Sequence, residues 1–383
     1  MNVAELTRDA DRALANRDFG RAATLLEEAA MLSPAEMHLW MRLAAMRRAS
    51  GEFVRALEAV HKALAINPRD FTALLMRASL LQKLGDSQAG EAWGHALAQK
   101  PASAVPEQLG QVITEAEQHY AAWQDGQDAR MKAAMAAAAD RADSEERRRI
   151  DRFRSNTVRR TKPYHSNPTD FCFPELTERE FHPRRLFPWI ECLEAATDAI
   201  SAEFRQVMAA ERAELVPYVQ YDEHVPMEQW RPLNHNRDWT AIHLLLRGER
   251  IDVNARHCPQ TMSLLAELPQ PSINGASPNA MFSLLAPHTT IPPHVGISNS
   301  RLVCHLPLVV PEGCWFRVGD ERRFWTPGEA FVFDDTIEHE AANPSGELRV
   351  VFIFDVWHPD LSPVEREAVA ALIGTSGMHG QSL

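Results

Sequence analysis

The sequence predicts a multidomain protein: an N-terminal α-helical solenoid followed by an antiparallel β-sandwich or jelly roll with flanking helices. Three observations carry this. The first hundred residues repeat with a period of 34, residues beyond 102 turn rich in alanine and in charges of both signs, and short apolar runs separated by turn signals follow Trp239. At 383 residues the chain exceeds one ordinary domain. The expected organisation is helical repeats over 1–101, a charged helical connector over 102–165 and a β domain over 166–383.

Pro34 and Pro68 stand 34 apart, as do Phe19 and Phe53, Ala22 and Ala56, Ala29 and Ala63, Trp40 and Leu74, and Gly51 and Gly85. Small and apolar residues recur at helical spacing in RAATLLEEAAMLSP and RALEAVHKALAINP, and proline ends the second helix of each unit. The third copy is looser: Pro101 follows Pro68 by 33, and Gly90 stands where the second copy has Ala56. The period and pattern over residues 3–101 resemble tetratricopeptide repeats. That resemblance implies a concave groove that holds a protein partner. A bundle packed only on itself remains the alternative.

The connector, with MKAAMAAAADRADSEERRRIDRFR, combines strong helix formers with few large apolar residues and is expected as one or two solvent-exposed helices. Its basic run has interspersed acids and no interleaved aromatics, which favours a solvated helix face over a nucleic-acid patch. The net charge of −12 points the same way, since phosphate binding needs a concentrated basic face. No apolar run approaches the roughly 18 residues of a membrane span, and MNVAELTRDADR lacks the features of a signal peptide. The expectation is a cytoplasmic protein with neither nucleic acid nor membrane as partner. Five scattered cysteines without C-x-x-C spacing fit reduced thiols there.

After Pro163 comes proline and aromatic punctuation, then an amphipathic helix over about 188–215. The runs MFSLL, RLVCHLPLVV, CWFRV, RRFW, EAFVF and LRVVFIFDVW follow as strands. Strand alternation puts Arg349 on the face of Val351 and Ile353, Arg301 on that of Val303 and His305, and Ser283 on that of Met281 and Leu285. A guanidinium aimed into an apolar interior needs an anion. A small barrel lined by serine, histidine and arginine is suited to a polar ligand.

His294 in TIPPHVG and His339 in DDTIEHEA are candidate metal ligands, because neutral imidazoles on separate strands with open coordination positions suit iron(II). The usual carboxylate ligand two residues after the first histidine is replaced by Gly296. Spacing alone therefore rejects the site. Asp334, Asp335 and Glu338 precede the second histidine, either as acceptors for its ring N–H or as hydrogen-bonding groups of the strand end.

From Phe282 to Pro359 the motifs P-H-x-G, R-L-x-x-H-L, E-G-C, W-x-x-G-E-A, F-D-D-x-x-E-H-E and D-V-W-H-P resemble the catalytic core of the aspartyl/asparaginyl β-hydroxylases, less tightly back to about residue 170. The resemblance implies a double-stranded β-helix of the jelly-roll, cupin-like type. It further implies iron(II) held by His294 and His339 alone, with solvent in place of the carboxylate. Arg349 and Ser283 would bind the distal carboxylate of 2-oxoglutarate, and His305 its metal-proximal end. Dioxygen is the second cosubstrate, and oxidative decarboxylation drives hydroxylation of a C–H bond. The competing reading is a catalytically silent repeat adaptor. Joint presence of both histidines, Ser283 and Arg349 counts against it.

Substrate residues transfer poorly. Members that act on epidermal-growth-factor-like domains have a second arginine where Val303 stands, and Asn234 and His235 replace charged residues ahead of Trp239. Arg301 is left either to meet an anionic substrate group or to neutralise Asp320 or Glu321. The expected substrate is an aspartyl or asparaginyl residue in a peptide or protein, or an amino-acid-like small molecule.

Overall fold

The computed structural model describes residues 1–103, 105–210, 215–222, 224 and 228–376. The chain divides into two compact units, Met1–Thr161 and Lys162–Leu383.

The first unit is built of α1 (Val3–Ala15), α2 (Phe19–Leu32), α3 (Met37–Ala49), α4 (Phe53–Ile66), α5 (Phe71–Leu84), α6 (Ala89–Leu97), α7 (Glu107–Ala139) and α8 (Ser144–Thr157), each packed on its neighbours in order. The repeating positions are the packing positions. Ala22, Ala56, Ala29 and Ala63 are fully buried, and Trp40 and Leu74 are nearly so. Small side chains there let consecutive helices approach closely. Asp18 and Asp70 cap α2 and α5 by accepting from Arg21 and Ala73 N–H.

The connector expected over 102–165 forms two largely solvent-exposed helices, α7 and α8, in which the buried described side chains are Ile113 and Ala116. Up to Thr161 it belongs to the helical unit. A Cβ on Gly90 would overlap the ring of Trp123, and one on Gly94 would come within 2.5 Å of Tyr120. The glycines of the loose third repeat thus form the seat for aromatic side chains of α7, and Trp93 stacks on His119 at 5.6 Å. The 33-residue α7 then pairs with α8. Gln124 donates to Val158 O at 2.7 Å, Arg154 meets Asp128 at 2.5 Å, and Arg160 pairs with Asp125. Arg154 and Arg160 of the basic run are therefore engaged with acids of α7.

The second unit contains β1 (Phe181–His182), α9 (Ile190–Ala195), α10 (Thr197–Ala209), β2 (Val216–Pro217), β3 (Trp239–Leu246), β4 (Glu249–Arg250), α11 (Asp252–Ala255), α12 (Pro259–Glu267), β5 (Ala280–Leu285), β6 (Thr289–His294), β7 (Arg301–Val309), β8 (Trp315–Val318), β9 (Glu321–Phe324), β10 (Phe331–Phe333), β11 (His339–Asn343), β12 (Arg349–Trp357) and α13 (Pro363–Ser376). The amphipathic helix expected over 188–215 breaks at Ala196 into α9 and α10. Its end at 211–214 lies outside the described residues.

Two antiparallel sheets result, one ordered β1-β10-β7-β12-β5-β3-β2 with β4 on β3, the other β6-β11-β8-β9. One face of the larger sheet, with Phe282, Cys304, Leu306, Phe352 and Phe354, packs under α9, α10 and α12. Its opposite face, with Met281, Leu285, Val303, Val351 and Ile353, packs on Ile291, Phe316, Val318 and Ala341 of the smaller sheet. These inward residues are the neighbours that alternation assigned to Ser283, Arg301, His305 and Arg349. The space between the sheets is where polar side chains converge.

Candidate active site

The smaller sheet supplies the two histidines. His294 ends β6 and His339 begins β11, directly paired across the antiparallel ladder, which brings their rings to 4.0 Å between centroids. Pro292 and Pro293 lie within β6, and β6 tolerates them because it is an edge strand. In each ring Nδ1 is held by a carbonyl two residues back, Pro292 O at 2.8 Å and Ile337 O at 3.1 Å. Those carbonyls fix the Nδ1–H tautomer, which leaves the Nε2 of each ring as the lone-pair nitrogen. Burial, with the neighbouring His339, pushes His294 down to about 3, and burial holds His339 at about 4. Both are neutral imidazoles at ordinary pH, the form that binds a metal.

Neither ring is hydrogen-bonded to a side chain of the acids before His339. Asp334 accepts from Thr336 N–H at 2.9 Å and from its hydroxyl, closing the strand end. Glu338 pairs with Arg317 at 3.0 Å. Asp335 faces the glycine that departs from the usual metal motif. Gly296 N–H donates to Asp335 O at 2.7 Å, and a Cβ at 296 would overlap the Asp335 carboxylate. The space that a side chain at 296 would fill is thus taken by the Asp335 carboxylate, which comes from the segment between β10 and β11. Among the described residues no group of three or more His, Cys, Asp or Glu is placed to hold a metal ion.

The larger sheet supplies the groups opposite. Ser283 on β5, His305 on β7 and Arg349 on β12 line one narrow inner cavity with His294 and His339. Arg349 is 2% exposed, and its Nη1 donates to the Ser283 carbonyl and hydroxyl oxygens, both at 3.3 Å. Trp239 Nε1 donates to the same hydroxyl at 3.1 Å. The guanidinium lies over Trp325, 4.8 Å from the ring centroid. No ion pair reaches it among the described residues, and burial lowers its pKa to about 10. Arg349 Nε, His305 Nδ1 and Trp325 Nε1 are buried without hydrogen-bond partners. Burial, with Arg349 and His339 adding to it, drives His305 well below its ordinary value. A buried cation beside orphaned polar nitrogens fits an anionic ligand.

Arg301 is not among the residues lining either cavity of the site. It is buried against Asp335 at 3.4 Å, which replaces both the anionic substrate group and the Asp320 or Glu321 partner expected for it. His235 bonds Tyr221 O at 3.0 Å and also lies off the lining. Val303 does line the inner cavity.

Outside the histidine pair opens a cleft of about 630 Å³, which shares Tyr218, Trp239 and His294 with the lining of the inner cavity. Tyr218 stacks on Trp239 at 3.7 Å, and Trp230 meets His294 edge-on at 5.0 Å. Sequence reasoning did not assign roles to Trp230, Trp239 and Trp325. Their only signal was tryptophan beside polar strand residues, which does not distinguish a cavity wall from a core.

Two antiparallel sheets thus enclose a histidine pair opposite a buried arginine that has no ion-pair partner among the described residues. Residues 194–359 match the sequence profile of the aspartyl/asparaginyl β-hydroxylases. The human aspartyl/asparaginyl β-hydroxylase is 36% identical over 141 residues, 37% of this chain and 18% of that one. The aspartate β-hydroxylase domain-containing protein 2 of Rattus norvegicus is 32% identical over 215 residues, 55% of this chain and 60% of that one. The chain thus spans less than two thirds of the length of these relatives. Among solved structures, the Yersinia enterocolitica type III secretion translocator chaperone SycD aligns at 14% identity and a TM-score of 0.28, covering 31% of this chain and 88% of that one. The tetratricopeptide-repeat domain of Sgt2 from Aspergillus fumigatus aligns at 19% identity and a TM-score of 0.27, covering 30% and 77%.

Proposed function

We propose that this chain is an iron(II)- and 2-oxoglutarate-dependent dioxygenase that hydroxylates a C–H bond of an aspartyl or asparaginyl residue in a peptide or protein, or of a related amino-acid-like molecule. The observation that carries the reading is Arg349, a buried guanidinium without a carboxylate partner among the described residues, in the same cavity as two histidines that burial keeps neutral. In this reading the paired sheets are a jelly roll of the double-stranded β-helix type, and the helical repeats hold a protein partner.

His294 and His339 would hold the iron, which supplies dioxygen activation when bound. Arg349 and Ser283 bind the far carboxylate of 2-oxoglutarate and so set the depth at which it enters. His305, neutral and orphaned at Nδ1, offers a hydrogen bond to the cosubstrate's other end. Phe316, Phe333 and Trp325 keep this end of the cavity dry, which strengthens each of those polar contacts. Trp230 and Trp239 lie against His294 and wall the side from which a substrate enters.

The test is binding followed by turnover. With manganese(II) as a redox-silent substitute, the protein should bind 2-oxoglutarate, and His294→Ala should lose the manganese signal in electron paramagnetic resonance. With iron(II) and ascorbate, 2-oxoglutarate should be converted to succinate. No binding of 2-oxoglutarate in the presence of manganese(II) would sink the proposal.

A further inference from the structure

The helical unit holds a charged groove that the oxygenase chemistry does not use and that does not depend on it. The groove has a volume of about 510 Å³, lies between α4, α5 and α6, and is lined by His61, Leu64, Arg69, Leu74, Arg77 and His95. One repeat earlier, 34 residues back, the same positions are Glu27, Ala30, Ala35, Trp40, Leu43 and His61. There Leu43 is fully buried and Trp40 nearly so, its indole N–H donating to Pro34 O at 2.9 Å. Glu27 meets Arg47 at 2.6 Å and Arg55 at 3.2 Å. In the later repeat Leu74 replaces the tryptophan and leaves volume unfilled. Arg77 stands in place of the buried leucine, Arg69 in place of an alanine, and His61 in place of the acid. The repeat pattern by itself therefore supplies no such groove; these four substitutions make it.

Its charge is not neutralised from within. No carboxylate lines the groove, and among the described residues neither the half-buried Arg77 nor the exposed Arg69 makes an ion pair. Asp70, next to Arg69, is engaged as the cap of α5, accepting from Ala73 N–H at 2.8 Å and from the Thr72 hydroxyl at 2.6 Å. Glu91 lies 3.7 Å from His95 on the same helix but outside the lining. Burial, and then the Arg77 charge, holds His61 below its ordinary value, so that it offers a neutral ring rather than a second charge. Leu64, Pro68, Leu74 and Ala98 give the groove an apolar side. Guanidiniums beside an apolar surface complement carboxylates carried on a partly apolar segment. No phenylalanine, tyrosine or tryptophan lines the groove, so it lacks the platform on which nucleic-acid bases stack.

We propose that the groove between α4, α5 and α6 binds an acidic peptide segment of a protein partner. Two carboxylates of the segment pair with Arg69 and Arg77, and an apolar residue between or beside them packs on Leu64 and Leu74. This gives the helical unit a charge-selective contact of its own, inside a chain whose net charge is −12.

The experiment titrates the full chain into a fluorescein-labelled peptide of repeated Glu-Glu-Leu units at pH 7 and reads fluorescence anisotropy. The comparison probes are the same peptide with glutamine for glutamate and a labelled deoxythymidine oligomer. The glutamate peptide should bind at least about tenfold more tightly than the glutamine peptide, with an affinity that falls as salt is added. Arg77→Leu and Arg69→Ala restore the residues of the preceding repeat. Each should weaken binding about threefold or more, and the two together at least about tenfold. The exposed Arg69→Ala alone keeps the test decisive if Arg77→Leu shifts the far-ultraviolet circular dichroism transition. Lys62→Ala removes a charge of the same sign from α4 outside the groove, and Arg349→Met removes the buried cation of the β unit. Both should leave peptide affinity within about twofold. Equal binding of the two peptides, no saturable binding of the glutamate peptide, or tighter binding of the oligonucleotide overturns the proposal. So does a loss on Lys62→Ala or Arg349→Met as large as that of the groove variants. Binding of 2-oxoglutarate with manganese(II) is read separately, so failure of either reading leaves the other standing.

Discussion

Replacing Arg349 by methionine tests the central electrostatic claim, because its effects on the free and ligand-bound protein should part company. The guanidinium's pKa falls from 12.5 to about 10 on burial, which corresponds to about 3 kcal/mol against the charged form. Methionine removes that penalty and keeps much of the apolar volume. It also forfeits two long hydrogen bonds to Ser283, about 1 kcal/mol each, and the contact with Trp325, about 1 kcal/mol. These contributions nearly cancel, so the melting temperature without cosubstrate should move by no more than about 3 °C. In the parent protein, 2-oxoglutarate at 100 times its Kd with manganese(II) should add about 2.7 kcal/mol. For a unit of this size that is a rise of about 5–11 °C. In Arg349→Met that rise should vanish at the same concentration. Differential scanning calorimetry reads both quantities in one series. A variant that keeps the ligand-induced rise refutes the claim that Arg349 receives the anion, and one that melts far below the parent without ligand refutes the claim of an uncompensated cation.

Gly296→Ala forces a methyl group into the Asp335 carboxylate and should disturb the Arg301–Asp335 pair, costing about 1–3 kcal/mol and lowering the melting temperature of the β unit by about 3–8 °C; an unchanged melting point would show that the space is not needed. Gly90→Ala drives a Cβ into Trp123 and should destabilise the helical unit by about 1–3 kcal/mol, seen as an earlier urea transition in far-ultraviolet circular dichroism, with binding of 2-oxoglutarate intact. His182 is buried beside His358, and burial, then His358, lowers it to about 3. Because the unfolded chain takes up a proton near 6.5 that the folded chain refuses, stability contributed at neutral pH is lost as pH falls from about 6.5 toward 3. His182→Phe should therefore lower the midpoint of acid unfolding by at least about half a pH unit, and an identical midpoint would show that His182 does not set it.

Local chemistry made much of this protein legible. The alanines of the 34-residue period became the buried contacts between helices, since a repeated small residue marks a repeated close approach. Six apolar runs became strands, and alternation alone placed Ser283, His305 and Arg349 on the face that meets the second sheet. The strand bearing His294 was harder to read, because two prolines argue against a strand until the edge position of β6 is known. The exposed helix that the alanine-rich α7 segment describes is found, but where its aromatic rings pack is shown only by Gly90 and Gly94 on another helix.

What the sequence by itself determined is therefore the set of elements and which residues of each strand point inward, because those follow from periodicities of the chain. What only the tertiary structure decided is pairing across elements. Arg301 found Asp335 rather than a substrate or Asp320, and Asp335 came to stand against Gly296. Both histidines had their tautomers fixed by backbone carbonyls rather than by the acids beside them. A side chain's direction depends on its own strand, but its partner depends on how two sheets come together, and no spacing within one strand contains that information.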